Sequence, residues 1–421
     1  MAGESEYHPR DEKEVAAIFA EVREQGGKVL PAGAGTKLAW LRPFFGSVPG
    51  GLVVVRSGLL SQITDLDPAN LTVSVQAGMS LLHLQETLAS HGQWLPMESP
   101  WGDGATVGGI VSAGLAGPAS LGYGLPRDLV LGVRAVLPNG RAVRFGGKTV
   151  KNVAGYDVSK LFVGSFGSLG ILVEITFRLR PLPPGERTVL VGGLGYSELD
   201  EAIGELLRSP QPIVALEVLN QPALRRLGWP FPSAEGGCGI AVRIDGAAPV
   251  LSAAVDKLRK VLSASVPDRA LDVLDEPSSR QFWQRFRERL YGDWAEPCAV
   301  LRIRCRVRDV VEVVQRLSGA PEAAVWLGAG TGHGFLRVER GYLSRGIVEY
   351  LEGLRGSLTE RETRLDLFSV PAEDFPKLMD SKCLFWQLHP KAQERAGRLK
   401  RIFDPEGLLV PFLAFGGTDG N

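Results

Sequence analysis

Cysteine is scarce, with Cys238, Cys298, Cys305 and Cys383 the four in 421 residues. They stand too far apart for CxxC pairs or an iron–sulfur ligand run, which argues against a cluster held by this chain and predicts reduced, buried, small apolar residues. Net charge is missing as well: 47 Lys plus Arg balance 47 Asp plus Glu, so no global field draws the chain to nucleic acid or to a membrane surface. No long hydrophobic run is present. The longest uncharged stretch, Gly104 to Pro126, has the length of a membrane span but holds seven glycines and two prolines, which reads as a glycine-rich loop and a helix start. The first residues, MAGESEYHPRDEKE, mix both charge signs without an apolar core, which argues against a secretory signal. Asn occurs five times and Arg outnumbers Lys 35 to 12, a bias that fits either a thermophile or a GC-rich genome. The expectation is a cytoplasmic chain with no membrane span, any membrane association being made through partners.

Glycine is abundant: 52 residues against an average share of roughly 7%. Sixteen fall between residues 101 and 170, beside seven basic residues (Arg127, Arg134, Arg141, Arg144, Lys148, Lys151 and Lys160) and three acidic ones (Asp103, Asp128 and Asp157). The local balance is +4. Clustered backbone N–H groups next to cations favour an anion such as a pyrophosphate, and the ordered signals around these glycines favour binding over mere flexibility.

The length suits about two to three domains of ~100–200 residues each. Apolar Val15, Ile18, Phe19 and Val22 predict a helix over about Asp11 to Gln25, closed by Gly26-Gly27. Strands are predicted at Lys28–Pro31, Leu52–Val55, Leu71–Gln76 and Ile171–Leu179, with a helix at Leu81–Ser90. Asn139-Gly140 between Val130–Leu137 and Ala142–Phe145 predicts a hairpin. RPLPPGER, residues 180–187, reads as a boundary. Beyond it strands alternate with amphipathic helices, including one at Leu343–Leu354, which predicts helices layered on a sheet and leaves open two similar halves.

Two loops carry chemistry. PAGAGTK, residues 31–37, follows a strand but fits neither Walker A nor GxGxxG; alone it is either a common turn or a phosphate loop. In GATVGGIVSAGLAG, residues 104–117, Thr106 can cap a helix and Gly108-Gly109 can bring backbone close to a ligand.

With these loops on the page, the order PAGAGTK, TVSVQAGMSLLHLQETL, ATVGGIVSAGLAG, LGYG, VLPNG, KNVAGYD and LFVGSFGSLGILVEITFRLRP over residues 10–185 resembles the FAD-binding domain of the vanillyl-alcohol oxidase and p-cresol methylhydroxylase flavoprotein family. Lys151–Asp157 with Val163–Ile171 is most similar to the FAD-binding subunit of glycolate oxidase, which in its family's complex works beside a catalytic flavin subunit and an iron–sulfur subunit. The resemblance implies an α+β protein: a two-subdomain FAD-binding domain of the p-cresol methylhydroxylase type over residues 1–185, an α+β, ferredoxin-like cap over 186–390, and a C-terminal segment, 391–421, returning toward the FAD domain.

It also implies roles for residues. Ala32, Gly33, Ala34, Gly35, Thr36 and Lys37 would wrap the FAD pyrophosphate. Ser99, Pro100, Gly104, Ala105, Thr106, Gly108 and Gly109 would line the flavin side of the cavity. Ser112, Gly114, Gly117, Tyr123 and Gly124 would enclose the pyrophosphate and adenosine ends, and Gly170 and Ile171 would set strand backbone against the cofactor. Tyr156 fits packing as well as a cofactor role. No His lies in PAGAGTK, so noncovalent FAD is expected.

The sequence also departs from the family. Catalytic 2-hydroxy-acid relatives carry a motif resembling GHxGDGNxH, suited to a divalent metal on the substrate. The corresponding run here, Trp326–Glu339, keeps only His333, so no metal is expected. Val410-Pro411-Phe412 stands where relatives show an Asn-Pro-Gly-Lys run. Arg302, Arg304 and Arg306 alternate along a predicted strand and could form a carboxylate clamp. No GxSxG elbow supports hydrolysis by Ser165 or Ser168. The tail cations Lys391, Arg395, Arg398, Lys400 and Arg401 form either a solvated helix face or a docking surface. Three functions follow: an FAD-binding subunit of a glycolate oxidase complex taking part in 2-hydroxy-acid oxidation and electron transfer, a self-sufficient FAD-dependent dehydrogenase of the D-lactate type, or a redox-silent structural subunit.

Overall fold

A computed structural model describes residues 5–38, 51–98, 104–148, 156–232, 236–292, 298–319, 322–339, 353–354, 363–369 and 390–410. Ser99, Pro100, the run 151–155, Pro411, Phe412, Cys383 and most of the helix expected at 343–354 lie outside these residues. Contacts divide the chain into two compact units: Met1–Ala116, Gly124–Leu182 and Leu388–Asn421 form one, and Gly117–Tyr123 with Pro183–Gln387 the other. The segment Gly117–Tyr123 therefore clusters with the second unit although it sits among the glycine-rich motifs.

The first unit opens with three parallel strands in the order β1-β3-β2: β1 Ser5–Tyr7, β2 Lys28–Ala32 and β3 Leu52–Arg56. Helix α1, Glu12–Glu24, begins where the Asp11 carboxylate accepts hydrogen bonds from the Lys13 and Glu14 N–H groups, satisfying donors that the first helical turn leaves unpaired. Its stripe of Val15, Ile18, Phe19 and Val22 is buried against Val29, Val53 and Val55, the apolar face its 3.6-residue spacing dictates.

Five further strands form an antiparallel sheet in the order β4-β5-β9-β7-β8: β4 Ile63–Asp67, β5 Thr72–Gln76, β7 Val130–Val136, β8 Ala142–Gly146 and β9 Ile171–Arg178. The expected hairpin joins β7 and β8, with Arg134 opposite Arg144 and Gly140 at φ +78°. Helices α2, Leu81–Ala89, and α3, Val107–Ala113, supply Leu84, Leu88, Ile110 and Val111 to this sheet's core. The stretch considered for a membrane span thus contains a seven-residue helix, and among the described residues no helix is long and apolar enough to cross a membrane. Short strands β6, Gln93–Trp94, and β10, Arg180–Pro181, pair antiparallel.

The second unit is one eight-stranded sheet made of two halves. The first holds β11 Glu186–Leu194, β12 Ile213–Leu219, β13 Cys238–Asp245 and β14 Leu271–Leu274; the second holds β15 Cys298–Arg304, β16 Ala323–Gly328, β17 His333–Glu339 and β18 Arg364–Ser369. The order β14-β11-β13-β12-β16-β17-β15-β18 runs the same pattern outward from the centre, where Val218 pairs with Leu327. Each half therefore has the strand order of a ferredoxin-like unit. Amphipathic helices α4 Tyr196–Arg208, α5 Ala248–Ser265 and α6 Val310–Leu317 bury Leu199, Leu258 and Val314 in one core with Val189, Val242 and Val325. An α+β class is what alternating helix and strand signals lead one to expect, and it is what the chain adopts. The thiols Cys238 and Cys298 are buried and Cys305 is half-buried. Burial pushes Cys238 up to about 11, and burial beside Asp309 pushes Cys305 up to about 12, which leaves both unreactive thiols at neutral pH.

Candidate functional site

The two glycine-rich loops meet within the first unit. After β2 the chain turns through Gly33–Lys37, and an added Cβ on Gly33 would come within 2.0 Å of the Thr106 hydroxyl. Between them lies a cleft enclosing about 680 Å³ including its open mouth. Ala32 to Lys37, Thr106, Gly108, Gly109, Ser112 and Ile171 all line it. Sequence reasoning missed Pro31, Leu38, Ser57, Ala77, Ala113, Phe166, Gly167 and Leu172, which line it too. Phe166 and Gly167 were legible only as part of the LFVGSFGSLG run, and Ser57 and Ala77 follow strands β3 and β5 with no special residue type to mark them.

One end of the cleft is built for an anion. Gly35 has φ +83°, a left-handed conformation that costs a glycine little. Among the described residues the N–H groups of Ala34, Gly35 and Thr36 make no main-chain hydrogen bond. Successive N–H groups around such a turn form an anion-binding concavity. Arg56 lies over the same turn, since a Cβ on Gly35 would come within 2.7 Å of its Nη1, and Glu6 holds the guanidinium at 2.7 and 2.8 Å. The Lys37 ammonium donates to Thr36 Oγ1 at 3.2 Å, and burial lowers its pKa to about 8. Elsewhere Leu38, Ala77, Ala113, Phe166, Ile171 and Leu172 give the cleft apolar wall, interrupted by Ser57, Thr106 and Ser112.

Helix α3 distinguishes its two glycines. Its first N–H groups are already used: Val107 donates to Met79 O, Gly108 to Ala77 O, and Gly109 to the Thr106 hydroxyl. A Cβ on Gly108 would come within 2.7 Å of Ala77 O. Glycine at 108 is required by protein packing, whether or not a ligand is present. Gly109 differs, since its added Cβ would meet only Thr106 Oγ1, at 3.1 Å, leaving main chain open to the cleft.

The remaining sequence candidates are not among the described lining residues. Gly104 is exposed, and Ala105 is buried with its carbonyl accepting from Leu81 N. Gly114 ends α3 in a left-handed conformation, φ +61°, and Gly124 turns at φ +90°. Gly117 O accepts from Ser120 N, and a Cβ on Gly170 would approach Val136 O at 3.0 Å. Tyr123, in the second unit, donates its hydroxyl to Asp245 at 2.7 Å. Tyr156 is 99% exposed, which removes the packing role.

In the second unit, Arg302 and Arg304 do share a face of β15, and Asp366 on β18 takes both: its Oδ2 accepts from Arg302 at 3.0 Å and from Arg304 at 2.6 Å. Arg306 lies beyond the strand end and pairs with Asp309 at 2.7 Å, so it is not part of that face. Burial lowers Arg302 to about 10. His333 sits opposite Arg304 in the β15–β17 register; burial and the two guanidinium charges lower its pKa to about 4, so the imidazole is neutral near pH 7. Among the described residues no group of three or more His, Cys, Asp or Glu could hold a metal ion.

An N–H concavity beside a lysine, closed by apolar walls, suits a molecule with a pyrophosphate and a flat aromatic end. Residues 6–146 match the family described as FAD binding domain. Glycolate oxidase subunit GlcE of Escherichia coli (strain K12) is 35% identical over 242 residues, 57% of this chain and 60% of that protein. Glycolate oxidase subunit GlcD of Bacillus subtilis (strain 168) is 34% identical over 218 residues, 51% of this chain and 45% of that protein. The chain thus spans less than two thirds of the length of either relative. In fold it is similar to p-cresol methylhydroxylase with substrate bound, at a TM-score of 0.69 and 14% identity, over 99% of this chain and 89% of that one.

Proposed function

We propose that this chain is the FAD-binding subunit of a glycolate-oxidising complex, acting in 2-hydroxy-acid oxidation and electron transfer beside a catalytic flavin subunit and an iron–sulfur subunit. Ala32–Lys37 hold the pyrophosphate, and Thr106, Gly109, Ser112 and Ile171 lie along the rest of the cofactor, which is noncovalent. FAD supplies, when bound, an acceptor for the hydride that leaves the carbinol carbon.

The observation that carries partner dependence is the Asp366 cluster. Removing hydride from a 2-hydroxy acid needs a base for the hydroxyl proton and a cation for the carboxylate. Asp366 neutralises much of the Arg302 and Arg304 charge, and a histidine with a pKa near 4 is a weak base at neutral pH. A second reading, a self-sufficient dehydrogenase of the D-lactate type, is favoured by one feature: two guanidinium groups face a single carboxylate beside His333, an excess of positive charge suited to a substrate carboxylate.

Anaerobic flavin bleaching separates them. The FAD-loaded chain alone should keep its visible spectrum with excess glycolate or D-lactate, and bleach once the partner subunits are co-expressed. Rapid bleaching by the single chain, lost in Arg304→Ala, would establish the second reading instead.

A further inference from the structure

Both walls of the cleft are tied from behind to one largely buried ammonium. Lys400 lies in the C-terminal helix Pro390–Phe403. It donates to Asp404 Oδ2 at 2.6 Å, to Ser168 O at 2.9 Å and to Leu409 O at 3.1 Å. Its side chain is 12% exposed and that of Asp404 is 0% exposed, so the charges are held within the fold. Asp404 completes the knot by accepting from the Leu408 and Leu409 N–H groups at 2.8 and 2.9 Å.

Two of these bonds, to Ser168 and to Leu409, lead to different walls. Ser168 directly follows Phe166 and Gly167, which line the cleft, and Phe166 N donates to the carbonyl of Ser112, another lining residue. Leu409 bridges Val29 in parallel, with Val29 N donating to Leu408 O at 2.8 Å and Val410 N to Val29 O at 3.0 Å. Val29 lies in β2, the strand that runs into Pro31 and the anion-binding turn. The walls also touch, since a Cβ on Gly167 would come within 2.9 Å of the Pro31 ring. No residue of the 400–410 segment is among the described lining residues.

We infer that Lys400 is a positioning residue for the cofactor: through Asp404, Ser168 and Leu409 the C-terminal segment latches the two walls of the cleft in the spacing that FAD requires. The inference rests on the reading of this cleft as the FAD site. Removing one partner of a buried pair leaves an uncompensated charge, and a cleft that FAD must re-form on binding holds it more weakly by the fraction of molecules already competent. Coupling is reciprocal, so FAD must in turn steady the latch.

The test uses the full chain. Amide exchange of the wild type with and without FAD should show slowed exchange at Leu408, Leu409 and Val410. The double variant Lys400→Met with Asp404→Asn carries no buried charge and removes the donor to Ser168. Its FAD Kd should rise about tenfold or more, with altered visible circular dichroism of the bound flavin and an unchanged far-ultraviolet spectrum. Arg23→Ala is the control, because it cuts another tie of the tail, Arg23 to Glu406 at 2.5 Å, away from the cleft; its Kd should stay near wild type. Protection confined to lining residues, an unchanged Kd in a folded double variant, or an equal loss in Arg23→Ala would each overturn the latch. If the double variant fails to fold, the wild-type exchange decides alone. A wild type that binds no FAD would instead remove the reading of the cleft, and the latch with it.

Discussion

Gly33 and Thr106 stand so close that a Cβ on the first would lie 2.0 Å from the hydroxyl of the second. One residue belongs to the turn after β2 and the other caps helix α3, so their approach joins the two glycine-rich loops into one cleft. Gly33→Ala should therefore weaken FAD binding at least tenfold, with overpacking of about 1–3 kcal/mol at the loop junction. Thr106→Gly in the same chain should restore much of the affinity, because glycine serves as an N-cap at a cost of only a few tenths of a kcal/mol. A double-mutant cycle on the FAD Kd measures the coupling; additive losses would show that the two loops act independently.

Neighbouring glycines should behave differently. Gly108→Ala drives a methyl group against Ala77 O, so it should lower the stability of the FAD-free chain by about 1–3 kcal/mol. Gly109→Ala should lower that melting temperature less than Gly108→Ala does while loosening FAD, because its methyl group meets only a side-chain hydroxyl, Thr106 Oγ1 at 3.1 Å, which can give way where a backbone carbonyl cannot. Thermal melts with and without FAD check both, and equal melts for the two variants would contradict this assignment.

How much of this was legible beforehand follows from what kind of signal each part leaves. The anion turn could be read because a left-handed Gly35 and the glycines around it leave a composition mark. The packing role of Gly108 was not legible, since a glycine needed for packing against Ala77 looks the same in sequence as one needed for a ligand. Asp366 was not legible at all: it reaches Arg302 and Arg304 through a register between strands 62 and 64 residues apart, and sequence spacing carries no trace of such pairing. Lys400 stands among the tail cations in sequence, and a helix with six charged residues in fourteen hides which one turns inward. The mirrored halves of the second unit were hinted at by alternating helices and strands, but their strand order comes from long-range pairing alone.

Lys37 should make FAD binding pH-dependent. Burial lowers its pKa to about 8 in the fold from 10.5. In the FAD-free chain the unfolded state therefore holds more protons than the native state between about pH 8 and 10.5, so stability rises with pH across that window. Pyrophosphate favours the charged lysine. Affinity should hold steady below pH 8 and fall above it, with up to one proton taken up per FAD bound. Calorimetry in buffers of different ionisation enthalpy reads this uptake, and Lys37→Met should abolish it; the same uptake in the variant would assign it to another group.

Asp366→Ala should be among the costliest single changes in the second unit. The carboxylate is fully buried and holds Arg302 and Arg304 on one oxygen, so its loss removes the charge that both guanidinium groups share. Breaking a buried ion pair this way costs about 3–5 kcal/mol, whereas Asp366→Asn keeps the shape and an acceptor and should cost less. The same variant bears on function. With the negative charge gone, the pair of arginines should bind oxalate, a dianion shaped like a planar 2-oxo acid, more tightly than wild type does. Equilibrium denaturation gives the first quantity and a titration the second. A tighter oxalate complex in Asp366→Asn would show that Asp366 occupies the arginines that a substrate carboxylate would otherwise use, and unchanged binding would show that they are structural in this chain.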